Sequence, residues 1–523
     1  MQRNCSREVA GLQSSSMDVA AKAKEQRERG IGYWMERVVA EAEKTRADFA
    51  ADPVHDLRVA LRRCRAMAES FRAVDPDPAW DKMRKAGKAV FSALGELRDC
   101  QVLMEWIAKL SGKDDDVGAK LMAHCRLREQ QLKSAAAEVL ASFDVRQWLH
   151  WAQTLEARAR RIEGREDVFQ VLALEKWQDA RQLHSTALRN RSKVAFHQLR
   201  IGIKKFRYVV ENFLPRHHAM WSADLKTLQD ELGDVHDLDV LWATACAIHV
   251  FIDDEERSRW KHAVSAEREK RVQEYRDKML GPASLWRQWR DGLPKGDDLR
   301  RAVLKRFEIW AAFLEEDQRH AKHVLRLSLQ LYDGLRRADV LKVSEYEGVT
   351  ARELLTVASH AHDVGTGAGS RAHHKRARRM LEKLEPPPGW TPEHLSIAGL
   401  IGRYHRGALP GTQASYNSLP APARAIVDAL AGILRLADRL DETHDQSIKR
   451  IRVERSDGFV MIEADGYREL TRSAERIAAA RHLLETVCGL PILIRPGNAT
   501  TPAVKKTPHV SPKAGRDVGR PVR

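Results

Sequence analysis

The stretch His55-Asp-Leu-Arg-Val-Ala-Leu-Arg-Arg-Cys-Arg65 decides how this chain folds, because it occurs twice. Its second copy is His197-Gln-Leu-Arg-Ile-Gly-Ile-Lys-Lys-Phe-Arg207, with a histidine and cations at matched offsets. An α-helix advances about 100° per residue. His55, Arg58, Arg62 and Arg65 therefore share one stripe, at roughly 0°, −60°, −20° and −80°, and His197, Arg200, Lys204 and Arg207 repeat it. Leu57, Leu61 and Cys64, like Leu199, Ile203 and Phe206, lie on the opposite face, the burying side of an amphipathic helix. No carboxylate interrupts either stripe to supply the i,i+4 pairs that neutralise a solvated helix face. The cations thus point away from each helix's own core.

A second phrase follows each copy: Leu94-Gly95 with Arg98-Asp99 and Val102, then Leu232-Gly233 with His236-Asp237 and Val240. The histidines lie 142 positions apart, from 55 to 197, and the glycines 138, from 95 to 233. An internal duplication accounts for both spacings. These residues resemble the CHAD domain, over roughly residues 31–294. The resemblance implies two pseudo-symmetric helical bundles around a basic channel that holds inorganic polyphosphate. On that reading the polymer contacts are His55, Arg58, Arg62, Arg63 and Arg65 in the first copy, and His197, Arg200, Lys204, Lys205 and Arg207 in the second. Closely spaced cations suit a polymer with one negative charge per phosphate. A nearby phosphate also favours the protonated form of histidine.

Composition sets the outer bounds. With 523 residues, 43% hydrophobic and 31% charged, the chain is long enough for several globular domains. Its formal charge of +16 calls for a polyanion or an anionic surface. Six cysteines (Cys5, Cys64, Cys100, Cys125, Cys246 and Cys488) are scattered without a CxxC pair, the usage of a reducing cytoplasm with no disulfide framework or zinc knuckle. The first residues lack the apolar run of a signal peptide. No stretch approaches the ~20 apolar residues needed to cross a bilayer. The expected location is the cytoplasm, with polyphosphate granules as a possible site of attachment. Nucleic acid is the rival polyanion, but no RNP phrase, GXXG loop, zinc-finger spacing or aromatic platform interleaves with the cations. Trp80, Trp148, Trp151, Trp177, Trp221 and Trp242 sit among apolar neighbours and are assigned to packing.

From about residue 17 to 291 the periodicity predicts nearly continuous helix, with breaks at Asp75-Pro76-Asp77-Pro78, at 112–116, at Gly164 and at Pro215. Lys82, Arg84, Lys85 and Lys88 precede the first Leu-Gly phrase and add charge on a neighbouring helix. Gly-Pro at 281–282 and Gly-Leu-Pro-Lys-Gly-Asp-Asp at 292–298 mark a boundary.

A different constellation follows it. His320-Ala-Lys-His323-Val324 leads an apolar helix, His362-Asp363-Val-Gly closes another, and Ala437-Asp438 with Leu440-Asp441 closes a third. A histidine, a His-Asp doublet and a distant aspartate suit a divalent metal whose ligands come from several helices. These phrases resemble the HD superfamily of metal-dependent phosphohydrolases and, more narrowly, the C-terminal helical domain of the exopolyphosphatase and guanosine pentaphosphate phosphohydrolase family. The narrower likeness rests on Ala358-Ser-His-Ala-His362-Asp363-Val-Gly, His373-His374-Lys375, Tyr404-His405-Arg406 and Leu434-Arg-Leu-Ala-Asp438-Arg-Leu-Asp441, over roughly residues 300–494. It implies His320, His362, Asp363 and Asp438 as metal ligands, with His362 and Asp363 catalytic and His320 preferred to His323. His373, His374 and His405 become second-metal or phosphate contacts, with Lys375 and Arg406 as clamps on an oxyanion. Magnesium or manganese is the expected ion. The chain departs from that family in lacking any counterpart of its actin-like catalytic domain.

Beyond Asp441, Ile451-Arg-Val-Glu-Arg and Val460-Met-Ile-Glu-Ala alternate as a β-hairpin turning at Asp457-Gly458. A helix over 470–488 and an apolar run over 490–494 complete a small α+β cap. Residues 497–523 carry six cations against one acid in a Pro- and Gly-rich setting, the composition of a disordered tail. The expected fold is mainly α: an N-terminal segment (1–30), a duplicated helical bundle (31–294), a helical HD-type domain (300–445), the cap (446–495) and the tail (496–523). The leading functional expectation is polyphosphate binding coupled to metal-dependent hydrolysis of polyphosphate or a related phosphoanhydride. A non-catalytic, granule-targeting polyphosphate binder and a guanosine-phosphate alarmone hydrolase stay open beside it. Metal identity, polymer length and oligomeric state are open at this level.

Overall fold

The computed structural model describes residues 30–497 apart from 163, 370, 371 and 412. Most of the N-terminal segment, Cys5 and the basic tail lie outside the described residues. The described chain divides into two compact units: residues up to Glu316 together with Asp363–Gly399, and Asp317–His362 with residues from Leu400 onward.

The first unit is built from two helical series. The first comprises α1 (Ile31–Thr45), α2 (Ala51–Arg72), α3 (Ala79–Leu110), α4 (Asp116–Ala141) and α5 (Val145–Ala159). The second comprises α6 (Glu166–Asn190), α7 (Lys193–Phe213), α8 (Pro215–Ala247), α9 (Asp254–Met279) and α10 (Leu285–Gly292). In the first series α1 to α4 pack in succession and α5 returns onto α1 and α3; in the second, successive helices are neighbours; and α2 on α7 and α3 on α8 join the two. α11 (Gly296–Leu314) lies against α6. The four expected breaks are present, and others divide the run, among them the one between α1 and α2. Three of these further breaks begin a helix with a capping side chain: Asp144 accepts from the N–H of Gln147, Ser192 from Ala195 and Asp253 from Glu256. Such caps satisfy donors that a helix start leaves open.

The duplication is written into the contacts. Phe71 and Phe213, 142 positions apart, meet edge to face with centroids 5.2 Å apart, so equivalent residues touch across a pseudo-twofold axis. The same offset carries Arg63 to Lys205 and Glu69 to Glu211. Arg63 pairs with Glu211 and Lys205 with Glu69, each pair the pseudo-symmetric image of the other. The core faces read from the sequence are buried, with Leu57, Leu61, Cys64, Leu199, Ile203 and Phe206 all at 0% exposure. Trp80, Trp148 and Trp221 are buried, and Trp151, Trp177 and Trp242 pack against the same core. The indole N–H groups of Trp80 and Trp148 donate to Asp75 and to the Met35 carbonyl.

In the second unit α12 (Gln318–Arg337) packs on α13 (Ala351–Ala361). The hairpin strands β1 (Glu345–Tyr346) and β2 (Val349–Thr350) lead into α13. α14 (His373–Leu381) belongs to the first unit, and the boundary falls within α15 (Pro392–Arg403), after Gly399. The short α16 (Ala414–Asn417) precedes α17 (Ala421–Leu440), which packs on α12 and α13. The expected hairpin is β3 (Arg450–Ser456) with β4 (Phe459–Asp465), turning through Gly458 at φ +86°, a left-handed value that glycine adopts without strain. The expected helix over 470–488 is two helices, α18 (Arg472–Ala480) and α19 (His482–Cys488). β5 (Ile492–Pro496) then adds to the sheet parallel to β4. No helix among the described residues is long and apolar enough to cross a membrane.

Candidate functional sites

In the first unit the two signature helices bring their stripes together. Arg62 and Arg58 of α2 act electrostatically on Lys204 of α7, as does Arg200 one turn before it. α3 and α8 add Arg98 beside His55 and His236 beside His197, the two histidine rings with Nδ1 atoms 3.3 Å apart. Among the described residues Arg58, Arg62, Arg200 and Lys204 make no ion pair with a carboxylate. Arg200 Nε and the Tyr208 hydroxyl are buried without a hydrogen-bond partner, in a region where such groups are normally satisfied. Arg58 and Arg65 flank the Phe91 ring at 5.0 and 5.1 Å, and Arg62 lies 5.7 Å from that of Tyr208.

The other expected contacts are engaged elsewhere. Arg63 is held by Glu211 and by Asn212 at 2.7 Å, Lys205 by Glu69 at 3.6 Å, and Arg207 by Glu211 at 3.6 Å. Arg65 donates to the Arg84 carbonyl. The repeat thus splits into an unneutralised set around Arg58, Arg62, Arg200 and Lys204 and a set that joins the two halves.

Burial, and after it mutual repulsion, disfavours the charged forms in the cluster. Burial, then Arg200 and Arg62, push the Lys204 ammonium down to about 7 against the opposing Asp237. Burial, then Arg200, His197 and Lys204, lower His236 to about 4. Burial first, then the neighbouring guanidinium groups, lower His55 and His197 as well. Asp237 rises to about 6, chiefly through burial. The cluster is a set of charges held in readiness for an anion.

Gly95 explains the first Leu-Gly phrase. A Cβ there would stand 2.7 Å from Arg58 Nη1, whereas one at Gly233 would meet nothing within 4 Å. Gly95→Ala is expected to displace the flexible guanidinium without unfolding the bundle. Anion affinity should then fall by roughly tenfold at an unchanged thermal midpoint, checked by titration calorimetry and a melting curve.

In the second unit His320, His362 and Asp438 are buried and offer ligand atoms all within 4.8 Å of one another. His320 sits in the first turn of α12, where Asp317 caps its N–H; His362 ends α13; Asp438 lies in the last turn of α17. His320 Nε2 and His362 Nε2 approach Asp438 Oδ1 at 3.5 and 3.9 Å. The opposite ring nitrogens are anchored: His320 Nδ1 on Asp441 at 2.8 Å and His362 Nδ1 on the Ser359 carbonyl at 2.7 Å. That is how metal-binding imidazoles are usually oriented. His405, anchored on the Gly402 carbonyl, meets the His362 ring edge to face at 5.1 Å. His444 stacks on His320 at 3.8 Å and bonds Asp317. Arg406 makes two 3.1 Å hydrogen bonds to Asp438. Burial opposes ionisation of Asp438, yet His320, His405, Arg406 and His362 hold its carboxyl well below the usual range.

Asp363 stands outside this trio. It lies in the first unit, 3.0 Å from His373 Nε2. His323 also stays out of the trio, its Nδ1 accepting from Arg326. His374 is half-buried and Lys375 exposed on α14, in the first unit, and Arg406 clamps Asp438. Sequence reasoning missed Asp441 and His444 as orienting partners, and Arg98, His236, Asp237 and Tyr208 in the cationic cluster. The 138-residue offset, which carries Arg98 to His236, was a usable signal; Tyr208 had none.

A duplicated helical array exposing unneutralised cations, followed by a helical unit with a buried His-Asp trio, defines a two-module protein with an anion site and a candidate metal site. The CHAD domain family matches residues 34–246, and the Ppx/GppA phosphatase, domain III, matches residues 306–468. The chain therefore carries a CHAD domain and, after it, a Ppx/GppA domain III. The crystal structure of the CHAD domain from the plant Ricinus communis is similar to 51% of this chain and 90% of its own, at 20% identity and a TM-score of 0.37. No curated protein matches the chain.

Proposed function

We propose that this protein binds inorganic polyphosphate on the cationic cluster of its CHAD domain and that its C-terminal domain is a metal-dependent phosphohydrolase for polyphosphate or a related phosphoanhydride. The observation that carries the first part is the set Arg58, Arg62, Arg200 and Lys204, brought together from both repeats with no carboxylate among the described residues paired to it. Guanidinium forks match phosphate oxygens bidentately. The nearby rings favour polyphosphate over nucleic acid, because Phe91 and Tyr208 are occupied by arginines rather than offered to bases.

For the second part, His320, His362 and Asp438 would hold the ion, with Asp441 fixing the tautomer of His320. Two imidazoles among three donors favour manganese or a later transition ion over magnesium. When bound, such an ion polarises a phosphoryl oxygen and lowers the pKa of bound water. Arg406 is placed to trade Asp438 for an anionic phosphoryl group. A second reading, a binding module without hydrolysis, is favoured by that same Arg406, which already neutralises Asp438.

Equilibrium binding of polyphosphate across salt and pH tests the first part. Affinity should fall steeply with salt. Polymer binding stabilises the Lys204 ammonium, so the contribution of Lys204 is fully present below about pH 7 and is lost above it, by up to tenfold per pH unit. Asp237, ionising as pH passes about 6, adds negative charge and acts in the same direction. Lys204→Arg keeps its charge and should flatten the alkaline limb. A pH- and salt-independent affinity would contradict the assignment.

A further inference from the structure

The surface between α7 and α8 continues past the cations into an open cleft of about 560 Å³. Val194 of α7 and Val240, Ala243 and Ala247 of α8 line it, with His197 and His236 at the end toward the cluster. The two imidazoles are half-buried, their ring centroids 4.7 Å apart and their planes tilted by 42°. Arg200 lies one turn beyond His197 on the same stripe and Lys204 one turn beyond that, so the cleft adjoins the cations along α7. From Val194 to Lys204 the helix rises about 15 Å. The one carboxylate on the cleft's rim, Asp239, is compensated by Arg268 at 3.0 Å and Lys193 at 3.3 Å. The repeat shows what opens the cleft. The positions 138 before Ala243, Thr244 and Ala247 hold Glu105, Trp106 and Lys109, with the lysine ammonium 4.3 Å from the Trp106 ring. Small side chains in the second copy stand where large ones stand in the first.

We propose that this cleft takes the nucleoside end of a nucleoside polyphosphate, with the base against the His197 and His236 rings and the phosphates on Arg200 and Lys204. The inference rests on the cluster's being a phosphate site. Charge complementarity places one end of the ligand, and the chemistry of the cleft selects the other. A base stacks on an aromatic ring that offers a face beside a cationic path for the phosphates, and an imidazole serves whether neutral or protonated. Phe91 and Tyr208, by contrast, are taken by arginines. Two imidazoles suit the π-face of a planar base better than a saturated chain, and Ala243 and Ala247, both exposed, leave room for its thickness. A bare polyphosphate reaches the cations and makes no use of the apolar wall. Among anions of like charge, the one that carries a base is therefore held more tightly.

Inorganic tripolyphosphate and adenosine triphosphate, of similar charge, are titrated calorimetrically into the full chain, with a chelator present so that the His-Asp trio holds no ion. The nucleotide should bind roughly tenfold more tightly. Ala243→Leu and Thr244→Leu fill the cleft without changing its charge. Each should remove most of that margin and leave tripolyphosphate affinity unchanged, which also reports that the variant is folded. The photoprobe 8-azidoadenosine triphosphate should label a peptide within 193–197 or 236–247, and adenosine monophosphate should displace it at a lower concentration than hexyl phosphate. Equal affinity for the two triphosphates, a margin that survives both substitutions, or labelling confined to other segments overturns the proposal. Hexyl phosphate as the better competitor overturns it as well and assigns the cleft to a saturated chain. Tripolyphosphate binding with no nucleotide margin sinks this inference and leaves the polyphosphate reading intact, whereas binding of neither anion sinks both.

Discussion

Changing Arg58, Arg62, Arg200 and Lys204 together to alanine is expected to weaken polyphosphate binding by on the order of a thousandfold at about 0.1 M salt. Each charge-assisted hydrogen bond to phosphate contributes about 1.5–3 kcal/mol, and the four are not additive because they share one polymer and repel one another. The slope of log affinity against log salt should shrink by about one for each lysine or arginine removed. Stability should move the other way. Burial and then the neighbouring guanidinium groups weaken the charged form of Lys204 in the free protein, so removing the four relieves repulsion and the thermal midpoint should hold or rise. Lys205→Ala, at a residue tied to Glu69, should alter affinity far less. Calorimetric titration against a salt series, with melting curves for each variant, decides the matter. A quadruple variant that still binds the polymer with wild-type affinity would remove the assignment.

The second large effect concerns the His-Asp trio. His362→Ala and Asp438→Asn are each expected to abolish tight binding of a divalent ion and, with it, metal-dependent phosphate release. Asp441→Asn, which loosens the anchor on His320, should cost about 10–100-fold in metal affinity. Asp363→Ala should leave an ion on the trio, because its carboxylate is engaged with His373. Manganese titration by calorimetry, beside chain-length analysis of polyphosphate, separates these outcomes. Loss of the ion in Asp363→Ala with retention in His362→Ala would show that the trio is not the site. Tight metal binding with no phosphate release from bound polymer would favour the module without hydrolysis.

Much of the first unit was legible because its signals are local and periodic. The stripes at 55–65 and 197–207 placed Leu57, Leu61, Ile203 and Phe206 in the core, where they lie. Prolines and glycines marked four helix breaks. Three of the breaks that escaped notice depend on Asp144, Ser192 and Asp253, whose capping role is visible only once the flanking backbone has turned. The cap's helix was read as continuous across Arg481, where no proline or glycine announces the division into α18 and α19.

The sequence by itself determined that two copies of one helical pattern exist, that each carries an apolar face and an opposed cationic one, and that histidines and aspartates gather after residue 316. These follow from spacing, since a helix converts order along the chain into position around an axis. Only tertiary structure decided which cations remain available. Glu69 and Glu211 lie off the stripes in sequence, yet across the pseudo-twofold they neutralise Lys205 and Arg63 and leave Arg58, Arg62, Arg200 and Lys204 unpaired with acids. It likewise assembled His320, His362 and Asp438 from three helices. Electrostatic pairing depends on distance in space, and Arg63 and Glu211, 148 positions apart, or Glu69 and Lys205, 136 apart, become neighbours only when the two repeats pack.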